Sequence, residues 1–285
     1  MRFGRAARRA GGALRRVAAV ATLAACLSAA ASAVGHEAAP LPPLDFDPPR
    51  PGTYTLHRIM RAPDGEVLGL DGHGQRLSDF TRGRITLLGF IYTTCTDPDG
   101  CPLAYRVFET LKQALAAPAF RERPQSNAAT ATAVEARHGY AEARRASGGL
   151  GGPVARPPMS SMIQLVTLSF DPLRDTPAVM RQYAGSRVND GGRGPRWYFL
   201  TTRSARELVP LVEGFGQDVR HAIDRSNGKP RRELSHVLKV FLIDPAGFVR
   251  EIYTSTFLHP QTVLNDIETL LMEGQNANEL RRLKP

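Results

Sequence analysis

Ile85 to Tyr92 carries no charged residue, is apolar apart from Thr86 and Gly89, and leads within three residues to Cys95. A strand with no polar side must be buried on both faces, which happens in parallel sheets covered by helices on each side. A helix is predicted from about Leu103 to Ala116, because Leu103, Val107, Leu111 and Leu115 recur at helical spacing. Further along, the periodicities predict strand Ile163 to Phe170, helix Pro177 to Ala184, strand Trp197 to Leu200 and helix Ala205 to Phe215. Strands Val237 to Ile243 and Val249 to Thr254 follow, joined by the turn Asp244-Pro245-Ala246-Gly247, and a last helix spans Pro260 to Met272. Strands alternating with helices, closed by a hairpin and a helix, give an α/β fold: a central mixed sheet flanked by helices.

The rest of the chain reads as accessories to that sheet. Gly65 to Phe80 is predicted to be a short hairpin turning at Asp71-Gly72-His73-Gly74, and residues 34–60 form a Pro-rich, extended linker. Residues 118–161 are rich in Ala, Arg, Gly and Pro and poor in large apolar side chains, which marks a mostly flexible insertion with a helix across Ala128 to Ala146 as its only regular candidate.

The formal net charge is +10, a value that raises nucleic-acid binding, but six arginines (Arg2, Arg5, Arg8, Arg9, Arg15 and Arg16) precede residue 17 with no acid before Glu37. The uncharged stretch Val17 to Ala33 follows and ends in Ala31-Ser32-Ala33, so residues 1–33 read as a signal peptide or an N-terminal membrane anchor and the protein as exported. Nucleic acid is therefore not an expected partner. Leu23-Ala24-Ala25-Cys26 resembles a lipoprotein processing box, which leaves cleavage, lipidation at Cys26 and retention as an anchor all open.

In the exported body Cys95 and Cys101 are the only cysteines. In an oxidising compartment such a pair can be a structural disulfide, a redox pair or a metal site. Cys95 stands at the carboxyl end of a core strand and Cys101-Pro102 opens a helix, where ligands collect in open α/β sheets and where a thiolate is stabilised. The turn formers Thr96-Asp97-Pro98-Asp99-Gly100 between them let both sulfurs face one point. Zinc usually takes four protein ligands, whereas two thiolates and one imidazole suit copper, with His236 the candidate third ligand.

Three blocks carry a resemblance. Gly83 to Cys95, continuing to Cys101-Pro102, looks like the strand and metal-binding loop of the Sco/SenC family. Ser169-Phe170-Asp171-Pro172 with Asp175-Thr176-Pro177 is similar to that family's signature and helix start, and His236 to Gly247 resembles the segment in which a ligand histidine precedes the last core hairpin. The family's members are membrane-tethered, thioredoxin-like copper proteins that help assemble the copper centre of cytochrome oxidase. The resemblance covers residues 61–273 apart from the insertion and implies a thioredoxin-like copper-binding domain over 61–285. It also implies one copper ion, Cu(I) or Cu(II), on Cys95, Cys101 and His236. Five residues separate the cysteines here, where the family usually has three.

By that resemblance the protein is a periplasmic metallochaperone rather than an enzyme. Its partners are a copper-accepting subunit of a respiratory oxidase or another copper protein, a thiol reductant, and a membrane if the tether is kept. The alternative is a thiol-disulfide oxidoreductase in which Cys95 and Cys101 are the redox pair. The usual motif of such enzymes has two residues between the cysteines, and a cis-proline before a late strand; no proline lies between Glu233 and Ile243. A peroxidase built on Cys95 lacks a proline in the preceding residues.

Four secondary expectations complete the reading. Asp171 and Asp175 cap the helix that starts at Thr176 or Pro177 and order its loop. Met159 is a loop residue and Met162 a strand start, with soft copper contact the minor alternative. Arg220 to Arg232 is a solvated hairpin loop, with docking of an acidic partner its alternative. His73, His138, His221 and His259 have no evident partner.

Overall fold

The computed structural model describes residues 41, 43–121, 159–188, 194–225, 228 and 231–282. The leader, the helix expected at Ala128 to Ala146 and His138 lie outside the described residues. Among those described, no helix is long and apolar enough to cross a membrane.

Ten strands are described: β1 (Met60–Arg61), β2 (Glu66–Leu68), β3 (Gly74–Arg76), β4 (Ile85–Ile91), β5 (Ile163–Ser169), β6 (Arg196–Leu200), β7 (Val219–Asp224), β8 (Arg231–His236), β9 (Val240–Ile243) and β10 (Phe248–Tyr253). The helices are α1 (Ser78–Thr81), α2 (Cys101–Ala116), α3 (Pro118–Arg121), α4 (Pro177–Ala184), α5 (Ala205–Gly214) and α6 (Pro260–Arg282). Six strands form one sheet in the order β1-β10-β9-β4-β5-β6, while β2-β3 and β7-β8 are separate two-stranded ribbons. β4, β5 and β6 run parallel, with Ile85 beside Ile163 and Gln164 beside Arg196; β9 is antiparallel to β4, and β10 to β9. A parallel pair extended on one side by an antiparallel hairpin, order β10-β9-β4-β5, is the thioredoxin-like core, as expected.

Every residue of β4 and β5 is buried, which is the consequence of helices on both faces. Pleating sends Phe90 to the side where it meets Phe215 and Phe241 edge-on, and Gly89 to the side of α2. A Cβ on Gly89 would lie 3.2 Å from Phe108 Cζ, so this position lets α2 close down on the sheet. Trp197 on β6 completes that side against Tyr105 and Phe108 of α2, and Tyr183 of α4 packs on Tyr105.

Several boundaries differ from the sequence expectations. Helix α2 begins at Cys101 itself, so the second cysteine belongs to its first turn. The last helix continues to Arg282. The strand expected from Val237 starts only at Val240: the chain bends over 237–239, where Gln217 Nε2 donates to the Val237 carbonyl at 2.7 Å. The basic run expected as a loop is mostly strand, forming β7 and β8. The described part of the Pro-rich stretch holds no helix or strand before Met60, turns where the Thr53 N–H bonds the Arg50 carbonyl, and from Pro49 is packed: Asn265 Nδ2 donates to the Pro49 carbonyl, the Gly52 N–H to Thr269 Oγ1, and the Tyr54 hydroxyl to Asp266 at 2.5 Å.

Candidate metal centre

The sheet delivers Cys95 and the first turn of α2 to one end of the domain. Beyond β4 the Cys95 N–H bonds the Tyr92 carbonyl at 3.1 Å, and Asp97 closes the loop by accepting the Asp99 N–H on its side chain and the Gly100 N–H on its carbonyl. Cys101 is 1% exposed, whereas Cys95 is half-buried; both are free thiols. A buried sulfur anchors and a half-exposed one can be reached, so the pair is asymmetric.

Asp175 holds this loop. Its carboxylate, 1% exposed, accepts the Thr93 N–H at 3.0 Å, the Thr93 hydroxyl at 2.5 Å and the Ser169 hydroxyl at 2.6 Å. The expected capping role falls instead to Thr176, whose hydroxyl accepts the Val179 N–H. The reason is reach: one residue further from the helix, Asp175 turns back beneath the loop that follows β4, and so ties the ends of two parallel strands together. Asp171 stays in the turn, where its carbonyl accepts the N–H groups of Arg174 and Asp175. The motif signalled a functional turn, but nothing in its spacing said which loop Asp175 would grip.

His236 arrives at the end of β8, in a ribbon separate from the six-stranded sheet. Its Nε2 lies 3.5 Å from Cys101 Sγ, and its ring is packed edge-on against Phe170 at 4.7 Å and Tyr92 at 5.9 Å between centroids. The Tyr92 hydroxyl donates to the Leu234 carbonyl at 3.2 Å, pinning the strand that carries the histidine. Among the described residues His236 Nδ1 is buried without a hydrogen-bond partner. The three donor atoms, two sulfurs and one ring nitrogen, lie within 4.8 Å of one another and could hold a metal ion. That donor set is soft and nitrogen-poor, the kind copper accepts.

The two thiols have opposite acidities. The Cys101 thiol donating to Cys95 lowers the pKa of Cys95 to about 4 against the upward push of its burial, with help from His236 and the N–H groups of Cys101 and Asp97. Donation to Cys95 and burial push Cys101 up. One thiolate is therefore ready at neutral pH, and a metal ion would displace the proton that the pair shares.

The methionines take no part. β4 and β5 are parallel, so Met159 and Met162, in the turn before Ile163, lie at the end of the sheet opposite Cys95, with Met162 exposed. Among the other histidines, His73 Nδ1 pairs with Asp71 at 3.1 Å and His259 accepts the Gln261 N–H, contrary to expectation.

Residues 155–272 match the SCO1/SenC family. That span of the chain is similar to SCO1/SenC proteins. It holds Asp175 and His236, while Cys95 and Cys101 precede it, and it bears out the resemblance read from the sequence. No curated protein matches the chain. Among solved structures, a putative electron transfer protein from Aquifex aeolicus VF5 is 15% identical, with a TM-score of 0.48, over 75% of this chain and 94% of its own. Bradyrhizobium japonicum ScoI with copper bound is 16% identical, TM-score 0.45, over 73% and 98%. BsSco, described as having a disulfide switch and as a member of the Sco family of cytochrome c oxidase assembly proteins, is 17% identical, TM-score 0.45, over 76% and 96%.

Proposed function

We propose that this protein is an exported copper metallochaperone that holds one copper ion per chain on Cys95, Cys101 and His236 and passes it to a copper-accepting subunit of a respiratory oxidase or to another copper protein. The observation that carries this reading is the arrival of His236 at the cysteine pair, with Nε2 3.5 Å from Cys101 Sγ. A structural disulfide or an exchange site needs no imidazole there. The family match over the span that contains His236 supports the same reading.

The residues divide the work by exposure. Cys95, half-buried and already a thiolate, is where copper enters and where an acceptor's ligand first competes. Cys101 and His236 keep hold while that ligand adds, and they let go last. Cu(I) moves by ligand exchange alone, so no electron is transferred and the thiolates are left to take up protons. Oxidation to a disulfide would empty the site, which is why a thiol reductant is a required partner. In this reading residues 1–33 direct export to the periplasm, removed or kept as an anchor, residues 34–60 lead to the domain, and 61–285 form it.

A second reading has one observation in its favour, the low pKa of a reachable Cys95 beside a buried Cys101. As an oxidoreductase, Cys95 would attack a substrate disulfide and Cys101 would resolve the mixed disulfide, the dithiol giving up two electrons to the substrate. Copper stoichiometry and competition affinity for the reduced protein, beside Cys95→Ser and His236→Ala, separate the two. One tight equivalent weakened tenfold or more by either substitution, ~1.4 kcal/mol, supports the metallochaperone. Affinity indifferent to His236 supports the reductase.

A further inference from the structure

We propose that Gln217 is a positioning residue for the metal centre: its side-chain oxygen accepts, directly or across one buried water, the proton that His236 must carry on Nδ1 when Nε2 holds copper. The inference rests on the metallochaperone reading. A histidine that ligates through one ring nitrogen keeps its proton on the other, and that N–H needs an acceptor. His236 Nε2 is turned to Cys101 Sγ, and Nδ1, among the described residues, is buried without a hydrogen-bond partner. The aromatic rings packed on the histidine do not supply one: Phe170 has no acceptor atom, and the Tyr92 hydroxyl is engaged with the Leu234 carbonyl.

An acceptor is held ready on the same ribbon. Gln217 is 3% exposed, and its Nε2 donates at 2.7 Å to the carbonyl of Val237, the residue after His236, and at 3.4 Å to the Asp218 carbonyl. Carbonyls face the nitrogen of an amide and not its oxygen, so these two fix which end of the side chain is which and commit Oε1 to another direction. Oε1 is itself buried without a partner among the described residues. Val219 pairs with His236, and residues alternate between the faces of a strand, so Gln217 and Leu238 continue the face of Val219 and His236. Exposure follows that alternation: Gln217 and Leu238 are buried, whereas Asp218 and Val237 are exposed.

The two unpartnered atoms complete each other. A buried acceptor without a donor and a buried N–H without an acceptor are each unfavourable alone. Joined, they fix the tautomer in which Nε2 is free to bind the metal, hold the plane of the ring and raise the basicity of the ligating nitrogen. Groups that act on a ligand histidine in this way change metal affinity by about 10–100-fold. One amide thus serves the site at both ends: its nitrogen secures the bend that follows His236, and its oxygen sets the form in which the histidine ligates.

The test uses the reduced full-length protein with isotope-labelled histidine, loaded with Cu(I), beside Gln217→Met, which removes both ends of the amide, and Gln217→Glu, which keeps an oxygen acceptor. Proton–nitrogen NMR reads the His236 Nδ1–H, competition titration reads the Cu(I) affinity, and urea unfolding reads the fold. The expected result is an Nδ1–H protected from solvent exchange in the wild type, loss of that protection in Gln217→Met with affinity weakened about tenfold or more, and recovery of most of both in Gln217→Glu. A wild type without a protected Nδ1–H would overturn the inference, as would a Gln217→Met that keeps the proton and the affinity. A Gln217→Glu as weak as Gln217→Met would also overturn it, leaving Gln217 only the tie to Val237. If Gln217→Met does not fold, the wild-type spectrum and Gln217→Glu decide. Copper affinity indifferent to His236→Ala would defeat the metallochaperone reading and this inference with it, whereas affinity that needs His236 but not Gln217 would defeat the inference alone.

Discussion

Cys101 Sγ and His236 Nε2 are 3.5 Å apart in space and 135 residues apart in sequence, so the site exists only while β8 stays where it is. Tyr92 is the buried tie. Tyr92→Phe keeps the ring against His236 but leaves the Leu234 carbonyl without this donor, and is expected to cost about 1 kcal/mol in urea unfolding. Copper affinity should fall by a few-fold with it. An unchanged midpoint would mean that the carbonyl is satisfied in another way.

Asp175 carries a larger share, because three donors converge on one buried carboxylate. Asp175→Ala strands the Thr93 N–H and frees both hydroxyls, a loss of about 2–4 kcal/mol by the usual cost of unmade buried hydrogen bonds. Chemical denaturation reads the stability, and competition titration reads the metal. Asp175→Asn, which keeps the volume, should recover part of the stability. Wild-type stability in the alanine variant would show that Asp175 does not hold the loop.

The two cysteines should separate by pH in the metal-free, reduced protein. With the Cys95 pKa lowered to about 4 and that of Cys101 raised, iodoacetamide should modify Cys95 alone at neutral pH, and mass mapping shows which sulfur reacted. The rate should hold nearly level as pH falls from 7 to 5 and drop only near the Cys95 pKa. An ordinary thiol would already have lost most of its rate by pH 7. In His236→Ala the drop should move to higher pH, since His236 is one of the groups that favour the thiolate.

Away from the site, Asp266 accepts from Tyr54 and Tyr253, and burial raises its pKa. A carboxyl raised by folding binds more proton in the folded than in the unfolded chain, so its contribution to stability is full at low pH and is lost as pH rises through the folded value. Asp266→Asn removes that dependence. The unfolding free energy of the variant relative to wild type should therefore increase from about pH 4 to pH 7, since an ordinary aspartate titrates near 4. A difference that is flat with pH would show that folding leaves this carboxyl unshifted.

How the sequence and the tertiary structure share the outcome is plain from particular residues. Ile85 to Tyr92, the Leu103 to Leu115 stripe and the turn Asp244 to Gly247 were legible because burial on a sheet, a helix face or a tight turn leaves its mark within a few residues of chain. The same short range placed Cys95 and Cys101 at the two ends of one loop. It also named His236 as a candidate. It could not bring His236 there: the sequence pointed to a strand running on from Val237, and only packing decided that the chain bends over 237–239 and that residues 231–236 pair with 219–224 instead. Asp175 is the same case, since its neighbours announce a helix start while its true partners, Thr93 and Ser169, are chosen by the parallel alignment of β4 and β5. Local periodicity records which face of an element is buried. Which distant group meets it there is fixed by the packing of the whole sheet, and that is where this metal centre is made.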